Sequence, residues 1–342
     1  MKRTIAFVTI ASGEVGMGHL MRSLSLAEML QEEFNIKFII DTDKHEIIEM
    51  IKEMHYQVDQ ISKSSPIGNF LNLWPHLYNC HIVVLDFYGI TKELQLDLKE
   101  QNFKFVCIDD LHDTHFYADA IINVSNGVKP EDYSCERNTK LYLGTDFALL
   151  RSAFLEAAIL PQKVIRSIDS VFINMGGADL PNNTLKFLRA ILKYNIIKKI
   201  HIVIGIVNPY LQMITDFTNN NQHLSEIYIY HGINSDKMKS ILLECQLAIC
   251  PASGISIEIC AIGIGIVTGF TAENQKDVLK GLIDRKCAFN LGDFNLQEED
   301  EISASFGQIL TNIREINEMV YNQKVLIDGQ SPRRLKDLFI AL

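Results

Sequence analysis

The chain has 342 residues, more than one hydrophobic core usually serves, so two domains are expected. Hydrophobic residues make up 47% and charged residues 22%, the balance of an ordinary globular protein. A formal net charge of -10 argues against general nucleic-acid binding, which needs a basic surface, but leaves room for a small anion held by local dipoles. The first predicted element is a strand over Ile5–Ile10. It runs into Ser12-Gly13-Glu14-Val15-Gly16-Met17-Gly18-His19 and then an amphipathic helix, Ser23–Leu30. Such a strand–turn–helix brings backbone N–H groups close to a ligand and favours anions, with His19 in the first turn of the helix. The glycine spacing fits neither G-x-G-x-x-G nor a Walker A loop, and a tight turn with an incidental histidine is the competing reading.

Strand and helix patterns then alternate. Strands are expected at Phe38–Ile40, His81–Leu85, Phe103–Ile108, Ala120–Ile122 and Lys140–Leu143, and helices at Glu46–Met54 and Thr91–Gln101, the latter capped by Thr91. Polar residues recur just past the strands: Asp86-Phe87-Tyr88-Gly89, Asp109-Asp110 and Asn123. In open parallel sheets ligands sit there, although Asp and Asn also cap helices at such places. Ala157–Arg166, with Pro161 and poor periodicity, reads as the interdomain linker.

The second half restarts the pattern. Strands are expected at Ser170–Asn174, Lys199–Ile204, Ile227–Tyr230, Leu247–Cys250 and Ile264–Thr268. Helices are expected at Leu185–Leu192, Ser235–Cys245, Ile255–Ile262, Lys276–Arg285, Glu301–Tyr321 and Arg333–Leu342. The fold class is therefore α/β: two Rossmann-like, doubly wound domains, 1–156 and 157–342, with a ligand cleft between them and the last helix a candidate to pack back on the first domain.

Seven scattered cysteines without a CxxC pair argue against zinc and disulfide frameworks and suit a reducing cytoplasm. The short apolar run after Met1-Lys2-Arg3 leads into the glycine turn rather than a cleavage site. The apolar region Ile241–Phe270 is broken by Glu244, Pro251 and Glu258, so neither a leader nor a membrane span is expected.

The second half carries the features of a nucleotide site. Gly176-Gly177 lets amides approach a phosphate, and Ser253-Gly254 opens another helix with hydroxyl and amide donors. Glu258, one turn further on, is placed to accept from ribose hydroxyls, or else is a capping-box residue. His19 suits a general base. His112 and His115 after Asp109-Asp110 form a loose metal-like group of ambiguous spacing, and no metal or other cofactor is expected. No G-x-S-x-G elbow is present.

Gly16-Met17-Gly18-His19-Leu20-Met21-Arg22 with Leu26-Ala27 resembles the opening motif of the UDP-2,4-diacetamido-2,4,6-trideoxy-β-L-altropyranose hydrolases of pseudaminic acid synthesis. The likeness continues through Asp86-Phe87-Tyr88-Gly89, Ile108-Asp109-Asp110, Ala118-Asp119, Ile122-Asn123, Leu143–Arg151, Met175-Gly176-Gly177-Ala178-Asp179, Ser253 with Glu258, and Asn274-Gln275. The resemblance implies a two-domain glycosyltransferase-B architecture akin to the murein N-acetylglucosaminyltransferase. It implies metal-independent attack of water at the anomeric carbon, with C–O cleavage and inversion, and His19 as the catalytic residue. Gly16, Gly18, Arg22, Asp86, Tyr88, Asp109, Asp110 and Asn123 would then face the sugar. Gly176, Gly177, Asp179, Asn182, Ile233, Ser253, Gly254, Ser256, Glu258, Asn274 and Gln275 would hold UDP. Val8, Ile10 and Phe87 depart from the Arg, Asp and His that the family carries, beside the sugar. An inverting glycosyltransferase and a non-catalytic nucleotide-sugar sensor are the other readings; no nucleic-acid or membrane partner is expected, and a monomer is plausible.

Overall fold

A computed structural model describes residues 2–11, 17–61, 67 and 69–342. The chain forms two compact units, residues 1–149 with 330–342, and residues 150–329. In the first, β1 (Thr4–Ile10), α1 (Gly18–Leu30), β2 (Asn35–Asp41), α2 (His45–Glu53), β3 (Gln57–Ile61), α3 (Phe70–Leu73), β4 (Ile82–Asp86), α4 (Lys92–Glu100) and β5 (Lys104–Ile108) follow in order. Then come β6 (His115–Phe116), β7 (Ala120–Asn123), β8 (Ser134–Cys135) and β9 (Lys140–Leu143). The strands order as β3-β2-β1-β4-β5-β7-β9, all parallel, with β6 and β8 paired apart. Parallel strands covered on both faces must be apolar throughout, which is why Ile82-Val83-Val84-Leu85 is wholly buried.

In the second unit α5 (Ser152–Ala158), β10 (Ser170–Ile173), α6 (Asn183–Ile191), β11 (Lys199–Ile204), α7 (Leu211–Asn221), β12 (Glu226–His231), α8 (Ser235–Glu244) and β13 (Leu247–Pro251) come first. They are followed by α9 (Gly254–Ile262), β14 (Gly265–Phe270), α10 (Lys276–Asp284), β15 (Phe289–Asp293), α11 (Glu299–Leu310) and α12 (Ile313–Leu326). The sheet runs β12-β11-β10-β13-β14-β15, again parallel. Helix α9 is apolar on nearly every side and buried from Ser256 to Ile262. A helix of that kind belongs in a core rather than on a surface.

Three boundaries differ from those expected from sequence. The stretch before the expected linker is helical and belongs to the second unit, because α5 packs its Ala153, Phe154 and Ala157 side against α8 and α9; the first unit ends at Leu149. The single helix expected over Glu301–Tyr321 is two, divided at Thr311-Asn312, where Thr311 turns its hydroxyl onto the Gln308 carbonyl. Such side-chain-to-backbone bonding competes with helix propagation. The last helix, α13 (Ser331–Ile340), groups with the first unit: Arg3 Nη2 donates to the Phe339 carbonyl at 3.0 Å, and the Phe34 and Phe339 rings meet edge to face.

Topology places the chemistry. In the first sheet the strand order reverses between β1 and β4, and in the second between β10 and β13. At a reversal the crossover helices leave to opposite faces, opening a crevice at the carboxyl ends of the two strands. His19 follows β1 and Asp86 ends β4; Gly176-Gly177 follows β10 and Ser253-Gly254 follows β13.

Candidate functional site

The first-unit site is built on β1, α1 and β4. Parallel register sets Thr9 opposite Asp86, so the first turns of α1 lie over the end of β4. There His19 Nδ1 meets Asp86 Oδ1 at 2.7 Å, and both side chains are buried. Arg22, three residues along the helix and so on the same face, donates from Nε and Nη2 to Asp86 Oδ1 at 2.8 and 2.6 Å. Its Nη1 donates to Asp110 Oδ2 at 2.9 Å. Ser23 Oγ donates to Asp86 Oδ2 at 2.8 Å. The Tyr88 ring stands edge-on to the imidazole, 4.4 Å between centroids, with its hydroxyl 3.4 Å from Asp110 Oδ2.

These contacts decide the imidazole tautomer. Arg22 Nη2 also approaches His19 Nδ1, at 2.9 Å. A guanidinium only donates and a carboxylate only accepts, so Nδ1 cannot bond to both in one tautomer. The shorter contact is to Asp86, and Arg22 Nη2 already donates to that carboxylate. The proton therefore sits on Nδ1, and Nε2 is left as the proton-accepting nitrogen. Burial alone would raise the Asp86 carboxyl. The Arg22 guanidinium and the hydrogen bonds from His19 and Arg22 outweigh it and hold the carboxyl below the usual range. Asp86 is thus held in its charged form at neutral pH.

Asp109 and Asn123 are joined through Tyr133. The Tyr133 hydroxyl donates to Asp109 Oδ2 at 2.8 Å and accepts from Asn123 Nδ2 at 3.0 Å, while Asn123 Oδ1 accepts from the Ser125 amide. Burial pushes the Asp109 carboxyl and the Tyr133 phenol upward. Asn123 is buried with both side-chain atoms engaged inside the protein, so it acts on the loop and not at an open surface. His112 rests its ring on Tyr133, whereas His115 turns to Ser134 and Glu136; the two do not converge. Among the described residues no group of three or more His, Cys, Asp or Glu could hold a metal ion. Val8 and Phe87, expected beside the sugar, lie in the apolar core of the unit with Ile10 packed against it. Gly16 lies outside the described residues, and Gly18 is the first residue of α1.

In the second unit Asn174 shapes the turn after β10: its Oδ1 accepts from the Gly176 amide at 3.1 Å and its Nδ2 donates to the Val203 carbonyl. Gly176 has φ +84°, a conformation glycine adopts without strain. Gly205 lies so near that a Cβ there would stand 2.2 Å from the Gly177 carbonyl oxygen. Added Cβ atoms at Gly176 and Gly254 would meet nothing within 4 Å, so both backbones face open space. Gly254 starts α9, whose N-terminal amides favour negative charge.

The side chains expected to hold UDP are divided among local tasks. Asp179 caps its own helix: Oδ1 accepts from the Asn183 amide, and Oδ2 from the Thr184 amide and hydroxyl, at 2.6 to 2.9 Å. That satisfies orphan amides of α6 and uses three of the carboxylate's roughly four lone-pair positions. Asn182 is left-handed, φ 56°, and donates to the Met213 sulfur. Ser256 is fully buried with its hydroxyl donating to the Ser253 carbonyl at 2.7 Å. Gln275 Oε1 accepts from the Thr271 amide. Ile233, in the loop after β12, and Asn274, in a short 3-10 turn (Glu273–Gln275) after β14, are half-buried. Glu258 is neither free nor a capping box: Arg151 Nε and Nη2 donate to its two oxygens, each at 2.7 Å. Ser23, Tyr133 and Arg151 were not singled out as site residues in the sequence. Arg151 ends the Leu143–Arg151 stretch that carries the family resemblance, and that is the signal that could have found it.

No family model matches the chain. An uncharacterized protein of Methanocaldococcus jannaschii is 28% identical over 80% of the chain, and the match spans only 57% of that longer protein. The spore coat polysaccharide biosynthesis protein SpsG of Bacillus subtilis is 24% identical over 95% of the chain and 96% of its own length. The UDP-2,4-diacetamido-2,4,6-trideoxy-β-L-altropyranose hydrolase of Campylobacter jejuni is 26% identical over 73% of the chain and 85% of its own length. Among solved structures, MurG of Acinetobacter baumannii superposes with a TM-score of 0.68 at 14% identity, over 99% of this chain and all of that one. Anabaena HepE in complex with UDP-glucose gives a TM-score of 0.60 at 10% identity over 99% of this chain. No helix among the described residues is long and apolar enough to cross a membrane. The chain is therefore a two-domain α/β protein of the glycosyltransferase-B type, and by sequence a relative of the C. jejuni altropyranose hydrolase and of SpsG.

Proposed function

We propose that this chain processes a nucleotide sugar, and specifically that it hydrolyses a UDP-linked 2,4-diacetamido-2,4,6-trideoxyhexose on a route to pseudaminic or a related nonulosonic acid. The observation that carries the reading is the buried His19–Asp86 hydrogen bond, which leaves Nε2 as the basic nitrogen. Nε2 takes a proton from water as the water oxygen bonds to the anomeric carbon. The bond from that carbon to the UDP oxygen breaks, and its electron pair leaves with UDP. Attack from the face opposite UDP inverts the centre. Asp86, kept ionised chiefly by Arg22, stabilises the imidazolium that forms. The second unit supplies the groups for UDP: the amides of Gly176-Gly177 and the N-terminus of α9 meet the charge that grows on the leaving diphosphate. Glu258 accepts from the ribose hydroxyls.

Transfer of the sugar to an acceptor is the second reading, favoured by the near-complete superposition on MurG. One assay separates them. The purified protein is incubated with the altrose-configured UDP-sugar, without acceptor or metal, and the anomeric proton is followed by NMR. Hydrolysis gives UDP and free sugar in equal amounts. Turnover only on addition of an acceptor would establish transfer, and binding without turnover would leave a sensor.

A further inference from the structure

The amides of the turn after β10 are not all open to a ligand. That of Gly176 donates to Asn174 Oδ1 at 3.1 Å, whereas those of Gly177 and Ala178, both half-buried residues, have no acceptor among the described residues. On one side of them Asn174 Nδ2 is tied to the Val203 carbonyl, and on the other Asp179 is tied to the first amides of α6. Against the turn lies Gly205, the residue after β11. A Cβ built there would stand 2.2 Å from the Gly177 carbonyl oxygen, 2.6 Å from its Cα and 2.7 Å from its carbonyl carbon. All three are backbone atoms, so no side chain can swing aside to make room. The φ of Gly205 lies outside the left-handed region, so its own conformation does not call for glycine; the approach of Gly177 does.

The same contact fixes a direction. Gly205 faces the carbonyl edge of the Gly177–Ala178 peptide, and in a planar trans peptide the N–H lies on the opposite edge. The Ala178 N–H is therefore turned away from the end of β11. Strand β10 has β11 on one side and β13, which leads into α9, on the other. We infer that Gly205 is a positioning residue for the diphosphate of a nucleoside diphosphate: by meeting the Gly177 carbonyl with a bare Cα, it lets the turn settle with the Ala178 N–H aimed at the anion. Any larger residue at 205 displaces that peptide. This rests on the reading of the second unit as the one that holds UDP. A donor already held in place costs no rearrangement when the charge arrives.

The test is calorimetric binding of UDP, and of uridine in competition with UDP, to the full chain, for wild type, Gly205→Ala and Gly265→Ala, with folding checked by circular dichroism and Tm. Gly265 is the comparator: a Cβ there would stand 2.7 Å from Leu247 Cδ1, at the amino end of β14 and so at the far end of the sheet from the turn. Wild type is expected to bind UDP more tightly than uridine. Gly205→Ala should lose about tenfold to a hundredfold in UDP affinity, the worth of one hydrogen bond to a charged group, and keep uridine affinity within about twofold. Gly265→Ala should lower Tm and keep the wild-type ratio of the two affinities. A folded Gly205→Ala variant that keeps that ratio, or that loses both ligands by the same factor, overturns the inference. So does a Gly265→Ala variant that shifts the ratio as far. Should Gly205→Ala fail to fold, wild type labelled with 15N-alanine decides: UDP is expected to shift the Ala178 amide proton and uridine is not, and an amide unmoved by UDP, or moved as far by uridine, overturns the inference. Wild type that binds UDP and uridine equally overturns the inference alone. Wild type that binds neither overturns it together with the proposed function.

Discussion

Asp86 in the first unit and Glu258 in the second are both buried carboxylates with an arginine partner, yet their acidities move in opposite directions. Burial is the largest influence on each and raises both. Glu258 has only Arg151 to oppose it, and its carboxyl stays above the usual value. Asp86 accepts from Arg22, His19 and Ser23 at once, and is driven below it. Each has an arginine opposing burial; Asp86 has His19 besides, and the direction of its shift is the opposite one. A locked acid suits a residue that must steady an imidazolium. A less committed one suits a residue with lone pairs to offer a ligand.

The contrast can be broken most forcefully at Asp86. Asp86→Asn removes the charge facing Arg22 and puts an NH2 donor in place of one of the two oxygens that accept from His19, Arg22 and Ser23. It is expected to destabilise the protein by about 3 kcal/mol and to lower kcat by about a hundredfold or more without weakening UDP binding. Denaturant unfolding and steady-state kinetics read the two effects, and a variant with near-wild-type kcat would show that His19 does not depend on Asp86. A smaller and different loss is expected at Glu258. Glu258→Ala should weaken UDP binding by about 1–3 kcal/mol, read by calorimetry, and unchanged affinity would return the residue to a purely structural role.

The smallest effect is in pH dependence, and its sign differs between the two acids. Asp86, with its folded value below the usual 3.8, contributes stability that is present above 3.8 and lost only as pH falls through the folded value. Glu258, with its folded value above the usual 4.5, contributes stability that is present below 4.5 and lost as pH rises through the folded value. The Tm of Glu258→Gln should therefore gain on wild type between pH 4.5 and pH 7, while the deficit of Asp86→Asn should hold over that range and narrow only in stronger acid. Thermal melts across pH check both, and a Glu258→Gln variant that falls further behind as pH rises would reverse the assignment.

Much of this was legible in the residues. The Val- and Ile-rich runs marked most core strands, and polar residues just past them marked the sheet ends. Edge elements escaped, because an edge strand need not be apolar on both faces: β3 reads Gln57-Val58-Asp59-Gln60-Ile61, and β15 includes Gly292 and Asp293. Helix α7 escaped because it ends in Asn219-Asn220-Asn221, poor helix formers. At the site, His19, Arg22, Asp86 and Asp110 could each be named from their place after a strand. Their mutual bonding could not, since it depends on the β1–β4 register and spans up to 88 residues. Asp179 shows the reverse case: a conspicuous acid after a glycine turn proves to cap α6.

The most direct test of His19 as the base runs the reaction in H2(18)O with the altrose-configured UDP-sugar and no acceptor, and examines the released UDP by mass spectrometry and 31P NMR. Attack of water at the anomeric carbon predicts turnover with no 18O in UDP, and a loss of about a hundredfold to ten-thousandfold in kcat for His19→Ala at nearly unchanged UDP affinity. Label in the β-phosphate, or a His19→Ala variant at near-normal rate, would contradict it.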